Sequence, residues 1–406
     1  MDFNDSPAEA AFRARARAWL NANAPRTAAG ASQSLEDAKA WQTKKADAGY
    51  ACITWPEEWG GPGGTPMEQV IFDQEEALHG RNYDFFLIGL GMCVPTVMAF
   101  ADEATKQRFV GPAMRGDEIW SQLFSEPSAG SDVAAVRTRA IPADDGSGDW
   151  IVDGQKVWTS GAHYSDYGII LVRTDPDLPK HQGLTMFWLD LKSPGIDIRP
   201  IHQASGESDF NEVYLSGVRI PDSQRLGGVG EGWKVALVTL MNERLAVGGG
   251  TGANWSDLLE LARQLPGPGG TGSAAEDRGV RDRIAEWYVA AEGLRLTRYR
   301  VLTALGRGQT PGPESAIGKI LSARQAQDIA QEAFDLLDQY GIIAGGAADT
   351  LGASRFRGGW FSGTMLRIAG GTDEILKNIV AERVLGLPQD VRVDRDVAFV
   401  DLPRGL

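Results

Sequence analysis

Trp150-Ile-Val-Asp-Gly-Gln-Lys-Val-Trp158 interrupts the texture of the chain. β-branched and aromatic residues flank Asp153-Gly154, a pattern that predicts a hairpin with that pair at its turn. Working outward, Tyr167–Arg173, Gly183–Asp190, Ile196–Pro200 and Asn211–Ile220 read as further strands, punctuated by Pro and Gly. The flanks read differently. Ser6-Pro-Ala-Glu9 is a capping box with Pro in the first turn, and Phe12, Ala16, Trp19 and Leu20 follow at helical spacing. Leu35–Gly49, Pro66–His79 and Ala104–Val110 continue that pattern, with a Gly/Pro loop over Thr54–Gly64. Beyond Gly232, helical patterns cover Trp233–Leu265, Val280–Gly306, Pro313–Tyr340 and Thr372–Leu385. Leu265-Pro-Gly-Pro-Gly-Gly-Thr-Gly272 reads as a flexible interhelix loop, and the charged tail after Pro388 as a surface segment. The expected class is therefore α+β: helical over 1–118, β over 119–229, helical over 230–406.

Charge and composition exclude several functions. Across 406 residues, 40 Lys and Arg face 54 Asp and Glu, a net charge of −14. Such a chain is a poor nonspecific binder of nucleic acid or anionic membrane. Twelve Trp, fourteen Phe and eight Tyr need a core, which argues against disorder. Two Cys and four His lack ligand spacing, so no metal site and no disulfide framework is expected, and a reducing cytoplasm fits. The first residues show no basic and apolar signal segment. The most apolar run, Val235–Ser256, is broken by Asn242, Glu243 and Arg244, so it reads as a buried helix and no membrane insertion is expected. There is no phosphate loop, no nucleophile elbow and no H-E-x-x-H helix. Gly227–Gly232 lacks the dinucleotide spacing and reads as a turn leading into a helix.

Three segments remain for chemistry. Gln122-Leu-Phe-Ser-Glu-Pro-Ser-Ala-Gly-Ser-Asp132 carries small residues whose backbone amides can form an anion nest, although composition alone favours a polar turn. In Lys156-Val-Trp-Thr-Ser-Gly-Ala162, Trp158 can stack on a planar ring while the hydroxyls bond its edge; the competing reading is a cap on the β core. Glu243 has Thr239, Leu240, Ala246 and Val247 as helical neighbours, none of them basic. A carboxylate in apolar surroundings has its pKa raised, as a general base for a weak carbon acid requires. A tertiary Arg partner or a bundle interface would account for it equally well.

Together these segments resemble the acyl-CoA dehydrogenase family over nearly the whole chain. Ser125-Glu-Pro-Ser-Ala-Gly-Ser-Asp132 is similar to the family's T-E-P-x-A-G-S-D signature. Gly154-Gln-Lys-Val-Trp-Thr-Ser160 matches its second flavin segment, and Gly371-Thr-Asp-Glu-Ile-Leu-Lys-Asn-Ile-Val-Ala-Glu-Arg383 its C-terminal G-T-x-x-I helix. The resemblance implies an N-terminal helical domain, a middle β-barrel or sandwich domain and a C-terminal four-helix bundle. It implies an FAD enzyme that desaturates an acyl-CoA between Cα and Cβ, as in β-oxidation and lipid metabolism. Electrons would pass to an electron-transfer flavoprotein, in a homotetramer built as a dimer of dimers or in a heterotetramer.

By the same resemblance, Ser125 and Ser160 bond the flavin ring, Trp158 lies along it, and Gln122, Phe124, Gly130 and Thr159 complete that set. Ser131 approaches the pyrophosphate or the CoA arm, and Thr372 and Glu374 the adenosine half. The Gly370 N–H donates to the thioester carbonyl. Many relatives place the catalytic Glu where Gly370 stands. A branch similar to isovaleryl-CoA and long-chain acyl-CoA dehydrogenases takes it from the helix after the β domain, which implies Glu243 here. Arg244 serves either the substrate or an ion pair. The family's R-x-x-F-G and Q-x-x-G-G-x-G segments are replaced by the loop at 265–279 and by Asp335-Leu-Leu-Asp-Gln-Tyr-Gly341. That departure admits a supporting, flavin-deficient subunit of a heteromer. Oxidase, monooxygenase or elimination chemistry is the remaining alternative.

Overall fold

The computed structural model describes residues 5–25, 34–79, 84–247, 253–306, 312–313, 315–343 and 351–403. Helical N- and C-terminal parts flank a sheet-rich middle. The chain divides into two compact units. One comprises Asp2–Gln203, Glu207–Ala246 and Asp390–Leu406, and the other Val247–Gln389 with Ala204–Gly206.

The first unit opens with α1 (Pro7–Asn23), α2 (Leu35–Asp47) and α3 (Pro66–Ala77). Ser6 and Glu9 cap α1 reciprocally, as expected, and Thr65 with Glu68 repeats the device on α3. Phe12, Ala16 and Leu20 bury one stripe of α1 against Trp41, Ile71 and Phe72. Glu75 on α3 is buried and takes Arg13 at 3.0 Å and Arg17 at 2.8 Å, which fixes how α1 lies on α3. A π-helical turn at Gly89–Cys93, α4 (Val94–Phe100) and α5 (Glu103–Arg115) lead into the sheet. The run Gly89–Phe100 went unread in the sequence, where Gly89, Gly91 and Pro95 interrupt the helix formers.

Among the described residues eight strands form one sheet: β1 (Trp120–Leu123), β2 (Arg139–Pro142), β3 (Trp150–Ser160), β4 (Tyr167–Arg173), β5 (Leu184–Asp190), β6 (Ile196–Pro200), β7 (Phe210–Ile220) and β8 (Arg225–Leu226). Their order is β6-β7-β3-β2-β4-β5-β8, with β1 parallel to β4. From Gly168 onward β4 is buried on both faces. Ile169 and Leu171 pack with Val97, Phe109, Val110 and Val235, while Ile170 and Val172 pack with Val152, Phe187 and Val213. A strand between two apolar layers has no polar face, hence its continuous Ile-Ile-Leu-Val.

One expectation is overturned. Trp150–Trp158 is no hairpin: β3 runs unbroken through Asp153-Gly154. The register against β7 shifts between Val152↔Val218 and Gly154↔Leu215, so the extra residue lies on β7, where Ser216 and Gly217 oppose Asp153. The antiparallel hairpin is β2–β3, and its connection lies at residues 143–149. Gly154 is required because a Cβ there would stand 2.5 Å from Thr138 Oγ1 and 2.7 Å from Thr138 Cα. Close approach by a neighbouring strand, and not a turn, selects the glycine.

After β8, α6 (Gly232–Val247) closes the first unit. The second contains α7 (Trp255–Gln264), α8 (Arg278–Gly306), α9 (Ser315–Leu337), α10 (Ala353–Leu366) and α11 (Asp373–Ile379). The pattern read over Trp233–Leu265 is thus two helices, the second started by Asn254 and Asp257 as a capping box; Gly248–Gly250 lie outside the described residues. Leu258, Leu261, Ile284, Ile329, Ala333 and Phe356 form the core of this unit. The interhelix loop is closed by backbone bonds, Gly267 N–H to Gly272 O at 3.1 Å and Ala274 N–H to Leu265 O at 2.9 Å. The tail is not merely a surface segment, since Phe399 is buried on the first unit. Among the described residues no helix is long and apolar enough to cross a membrane, and no His/Cys/Asp/Glu group could hold a metal. Neither Cys52 nor Cys93 takes part in a disulfide.

Replacing Gly154 by Val should cost about 1–3 kcal/mol, because the added atoms meet the Thr138 backbone as well as its hydroxyl. Urea unfolding of the variant measures it, and an unchanged midpoint would contradict the close approach of Thr138.

Candidate cofactor and active site

The loop after β1 is held from below by a buried ion pair. Lys156 has no exposed surface, and its Nζ donates to Glu126 Oε1 at 2.8 Å, Phe124 O at 3.0 Å and Leu171 O at 2.7 Å. Glu126 is also buried and accepts the Arg137 and Thr138 backbone N–H groups at 2.6 and 2.9 Å. Burial pushes the Glu126 carboxyl up, but the adjacent Lys156 charge and these hydrogen bonds outweigh it and hold the group below its usual value. Burial pulls the Lys156 ammonium below the usual lysine value, against the opposing attraction of Glu126. Glu126 and Ala129 exchange backbone hydrogen bonds at 3.0 Å, closing a turn. Ser128, Gly130 and Ser131 are left exposed on its outer side, and Ser125 is half-buried.

The same pair fixes the end of β3. Ser125 O accepts the Val157 N–H at 2.9 Å, which joins two of the segments singled out in the sequence. The register against β7 shifts again between Lys156 and Thr159, so Val157 and Trp158 oppose one residue. In this bulge Trp158 takes a left-handed φ of 61° and exposes 58% of its surface. Its described ring contact is an edge-on approach to Phe210 at 6.0 Å between centroids. A bulky residue at positive φ is strained by about 1–3 kcal/mol. Trp158 therefore does not cap the β core; it presents an indole to the outside.

The remaining members of the set divide by depth. Gln122 and Ser160 are half-buried, and Ser160 O accepts the Ser121 hydroxyl at 2.8 Å. Phe124 points into the core, so any contact it makes with a ligand must be through its backbone. Thr159 is buried, its hydroxyl without a hydrogen-bond partner in the protein and its carbonyl held by Asn211 Nδ2 at 3.0 Å. An outward indole beside half-buried hydroxyls and a loop of small exposed residues fits a planar ring system with an anionic extension. Asn211 escaped the sequence reading, which had no signal that β7 would reach this bulge.

Glu243 and Arg244 belong to α6, and their side chains lie outside the described residues. One turn earlier on the same helical face, Thr239 is buried and shares a hydrogen bond of 2.9 Å with Thr96.

In the second unit, Gly370 and Gly371 follow α10 with φ of 64° and 93°, a reversal that favours glycine at both positions. Lys319 on α9 donates to the carbonyls of Ala369 and Gly371, the latter at 2.6 Å. Thr372 caps α11 by accepting the Ile375 N–H at 3.2 Å. Arg367 binds the buried Asp373 at 2.8 Å, and Glu374 is exposed. Lys319 was not anticipated, since it stands about fifty residues upstream of the turn it holds.

Lys156→Met should destabilise the protein by about 3–5 kcal/mol at neutral pH, because Glu126 is left buried and unpaired. The folded pKa of Glu126 is depressed in the native protein, so the contribution of the pair is present above its unfolded value and lost as pH falls. The gap between variant and native protein should therefore narrow below about pH 4. Denaturant titrations at two pH values test both statements.

Comparison with known proteins agrees with this architecture. The sequence signatures described as acyl-CoA dehydrogenase N-terminal, middle and C-terminal domain match residues 6–117, 121–218 and 230–385. The acyl-CoA dehydrogenase FadE34 of Mycobacterium tuberculosis is 39% identical over 348 residues, 86% of this chain. The match covers 46% of that relative, so the chain spans about half its length. Acyl-CoA dehydrogenase IpdE1 of the same organism is 34% identical over 397 residues, 94% of this chain and 98% of its own length. Among solved structures, a chain of the Tcur3481-Tcur3483 steroid ACAD superposes with a TM-score of 0.80 at 28% identity, over 96% of this chain and 100% of that one. With three signatures in order and a relative matched almost end to end, the chain belongs to the acyl-CoA dehydrogenase family of oxidoreductases.

Proposed function

We propose that the protein is an FAD-dependent acyl-CoA dehydrogenase with Glu243 as its base, acting on a bulky, steroid-derived acyl thioester. One observation carries the cofactor reading: Trp158, strained and exposed, stands on a bulge that is bonded to the Ser125–Asp132 loop. The substrate class is supported by the likeness to a structure named as a steroid ACAD.

When bound, FAD supplies the acceptor for the β hydride. The residues of the chain do the rest. Trp158 stacks on the ring, and Ser125, Ser160 and the backbone at Gln122, Phe124 and Thr159 line its edge. Gly130 and Ser131 meet the pyrophosphate or the CoA arm, and Thr372 and Glu374 the adenosine half. The Glu243 carboxylate takes the α proton, the C–H pair moves toward the thioester carbonyl, and the Gly370 N–H donates to that oxygen as charge develops. Arg244 serves the acyl-CoA or pairs with a carboxylate. Electrons leave to an electron-transfer flavoprotein. Domain limits at 1–118, 119–229 and 230–406, a cytoplasmic location, a role in β-oxidation and a homotetramer or heterotetramer belong to the same proposal.

A second reading, a supporting subunit of a heteromer, is favoured by the absent R-x-x-F-G and Q-x-x-G-G-x-G segments. It also draws on the steroid ACAD structure, whose name pairs Tcur3481 with Tcur3483. Anaerobic absorbance titration with a panel of acyl-CoA thioesters separates the two. Bleaching of a yellow band by a steroid-derived member supports the dehydrogenase. A preparation that stays colourless after FAD is added supports the subunit reading.

Two variants test the residue roles. Glu243→Gln should retain FAD but lose substrate-dependent bleaching, and unchanged bleaching would remove Glu243 from the mechanism. Trp158→Asn should leave the unliganded protein equally stable, or more stable by about 1 kcal/mol, since Asn tolerates positive φ. The same variant should bind FAD more weakly in a fluorescence titration.

A further inference from the structure

The tail folds back on the first unit at a place where the cofactor reading has no use for it. Phe399 is 6% exposed, and its ring lies under two guanidinium groups, with Arg173 Cζ 3.7 Å and Arg137 Cζ 5.1 Å from its centroid. The Phe399 and Val400 N–H groups donate to Leu178 O and Pro176 O, each at 2.9 Å. Five residues before Phe399, Asp394 reaches Lys180 at 2.6 Å. The approach to these contacts is not packed, with Val391 90% and Val393 85% exposed. The tail is thus held at a short docked patch.

That patch is coupled to the exposed loop by two buried cations. Lys180, 5% exposed, bonds Asp132 at 2.7 Å as well as Asp394. Asp132 is the last residue of the Ser125–Asp132 motif. Arg173, 4% exposed, donates to Ala134 O at 2.6 Å, Val136 O at 3.2 Å and Lys180 O at 2.7 Å. Its in-plane donors are engaged with the chain that leaves the loop and with Lys180 O, and Phe399 covers one face of the guanidinium. Stacking of an aromatic ring on a desolvated guanidinium is favourable. Without Phe399 that face would meet water, and without Asp394 Lys180 would be left with Asp132 alone.

We propose that Asp390–Leu402 is a strap that positions the Ser128–Asp132 loop, with Asp394 and Phe399 as positioning residues acting through Lys180 and Arg173. The Lys156–Glu126 pair secures the start of the loop, and the strap secures its end. On the ligand side the inference rests on the proposed FAD site, because Gly130 and Ser131 meet an anion only where this loop holds them.

Amide hydrogen exchange on the full chain decides the structural part. Phe399→Ala and Asp394→Asn should speed exchange in peptides spanning 126–138 by about tenfold, with β4 and β5 unchanged. Phe399→Tyr, which keeps a ring on Arg173, should behave as the native protein. In parallel, the FAD dissociation constant of Phe399→Ala should rise about fivefold, as loss of preorganisation requires, and that of Phe399→Tyr should not. Unchanged loop exchange overturns the proposal. So does faster exchange spread evenly over β4 and β5, which marks general loosening, or a loosened loop with unaltered FAD affinity. If the native protein binds no FAD, the cofactor reading falls, and the exchange pattern alone decides whether the strap holds the loop.

Discussion

The site in the first unit depends on one buried ion pair. Removing an ammonium and a carboxylate from water costs several kcal/mol per ion, and their attraction repays this only when every remaining donor and acceptor is used. Lys156 and Glu126 meet that condition. Three oxygens accept from Lys156 Nζ, and the Glu126 oxygens take two backbone N–H groups besides the lysine. Four separate stretches of chain, at 124–126, 137–138, 156 and 171, are thereby tied to one point. An apolar pair of equal volume could fill the space but could not fix those backbone directions. Replacement of buried ion pairs by apolar groups of similar volume is often neutral or stabilising, so net stability alone does not account for such a pair.

A rigid base explains how Trp158 can persist in its conformation. The residue carries two local penalties, a left-handed backbone and a largely exposed indole. The bulge that imposes the first also creates the second, because the extra residue turns Trp158 outward while Lys156 and Thr159 face inward. Strain of this kind survives only where neighbours over-determine the backbone. Here the Ser125 carbonyl holds Val157, and Asn211 holds the Thr159 carbonyl. These bonds bracket Trp158 on both sides along the strand.

What the sequence disclosed follows the range of the interactions concerned. Caps and periodic apolar stripes act over three or four residues, so α1, α2, α3 and α8 were legible, as was the uniformly apolar β4. Asp153-Gly154 was misread because the same dipeptide suits a tight turn and a continuous strand approached closely by a neighbour. Which one forms depends on Thr138, which contacts Gly154 only once β2 has paired with β3. The loop and the β3 end were found as motifs, yet composition alone assigned both to ordinary structure. Neither the strain at Trp158 nor the burial of Lys156 is a property of local sequence. Asn211, Lys319 and Phe399 escaped for the same reason, each acting on residues about fifty or more positions away, or more than two hundred for the tail.

The turn at Gly370 shows how such a distant residue alters local chemistry. A peptide group is one conjugated unit, and the Ala369 carbonyl and the Gly370 N–H are its two ends. Lys319 donates to the Ala369 oxygen, so a cation draws charge toward one end of that unit. Hydrogen bonds in series polarise one another, and the N–H at the other end becomes a stronger donor. The bond from Lys319 to the Gly371 carbonyl holds the next peptide in the same reversal. Two glycines supply the positive φ values that the reversal needs, which no pair of larger residues adopts at comparable cost. A carboxylate side chain at position 370 would add strain and bring a negative charge to the N–H that Lys319 strengthens. Glycine at this position therefore answers to the backbone of the turn and to the polarised peptide that Lys319 holds.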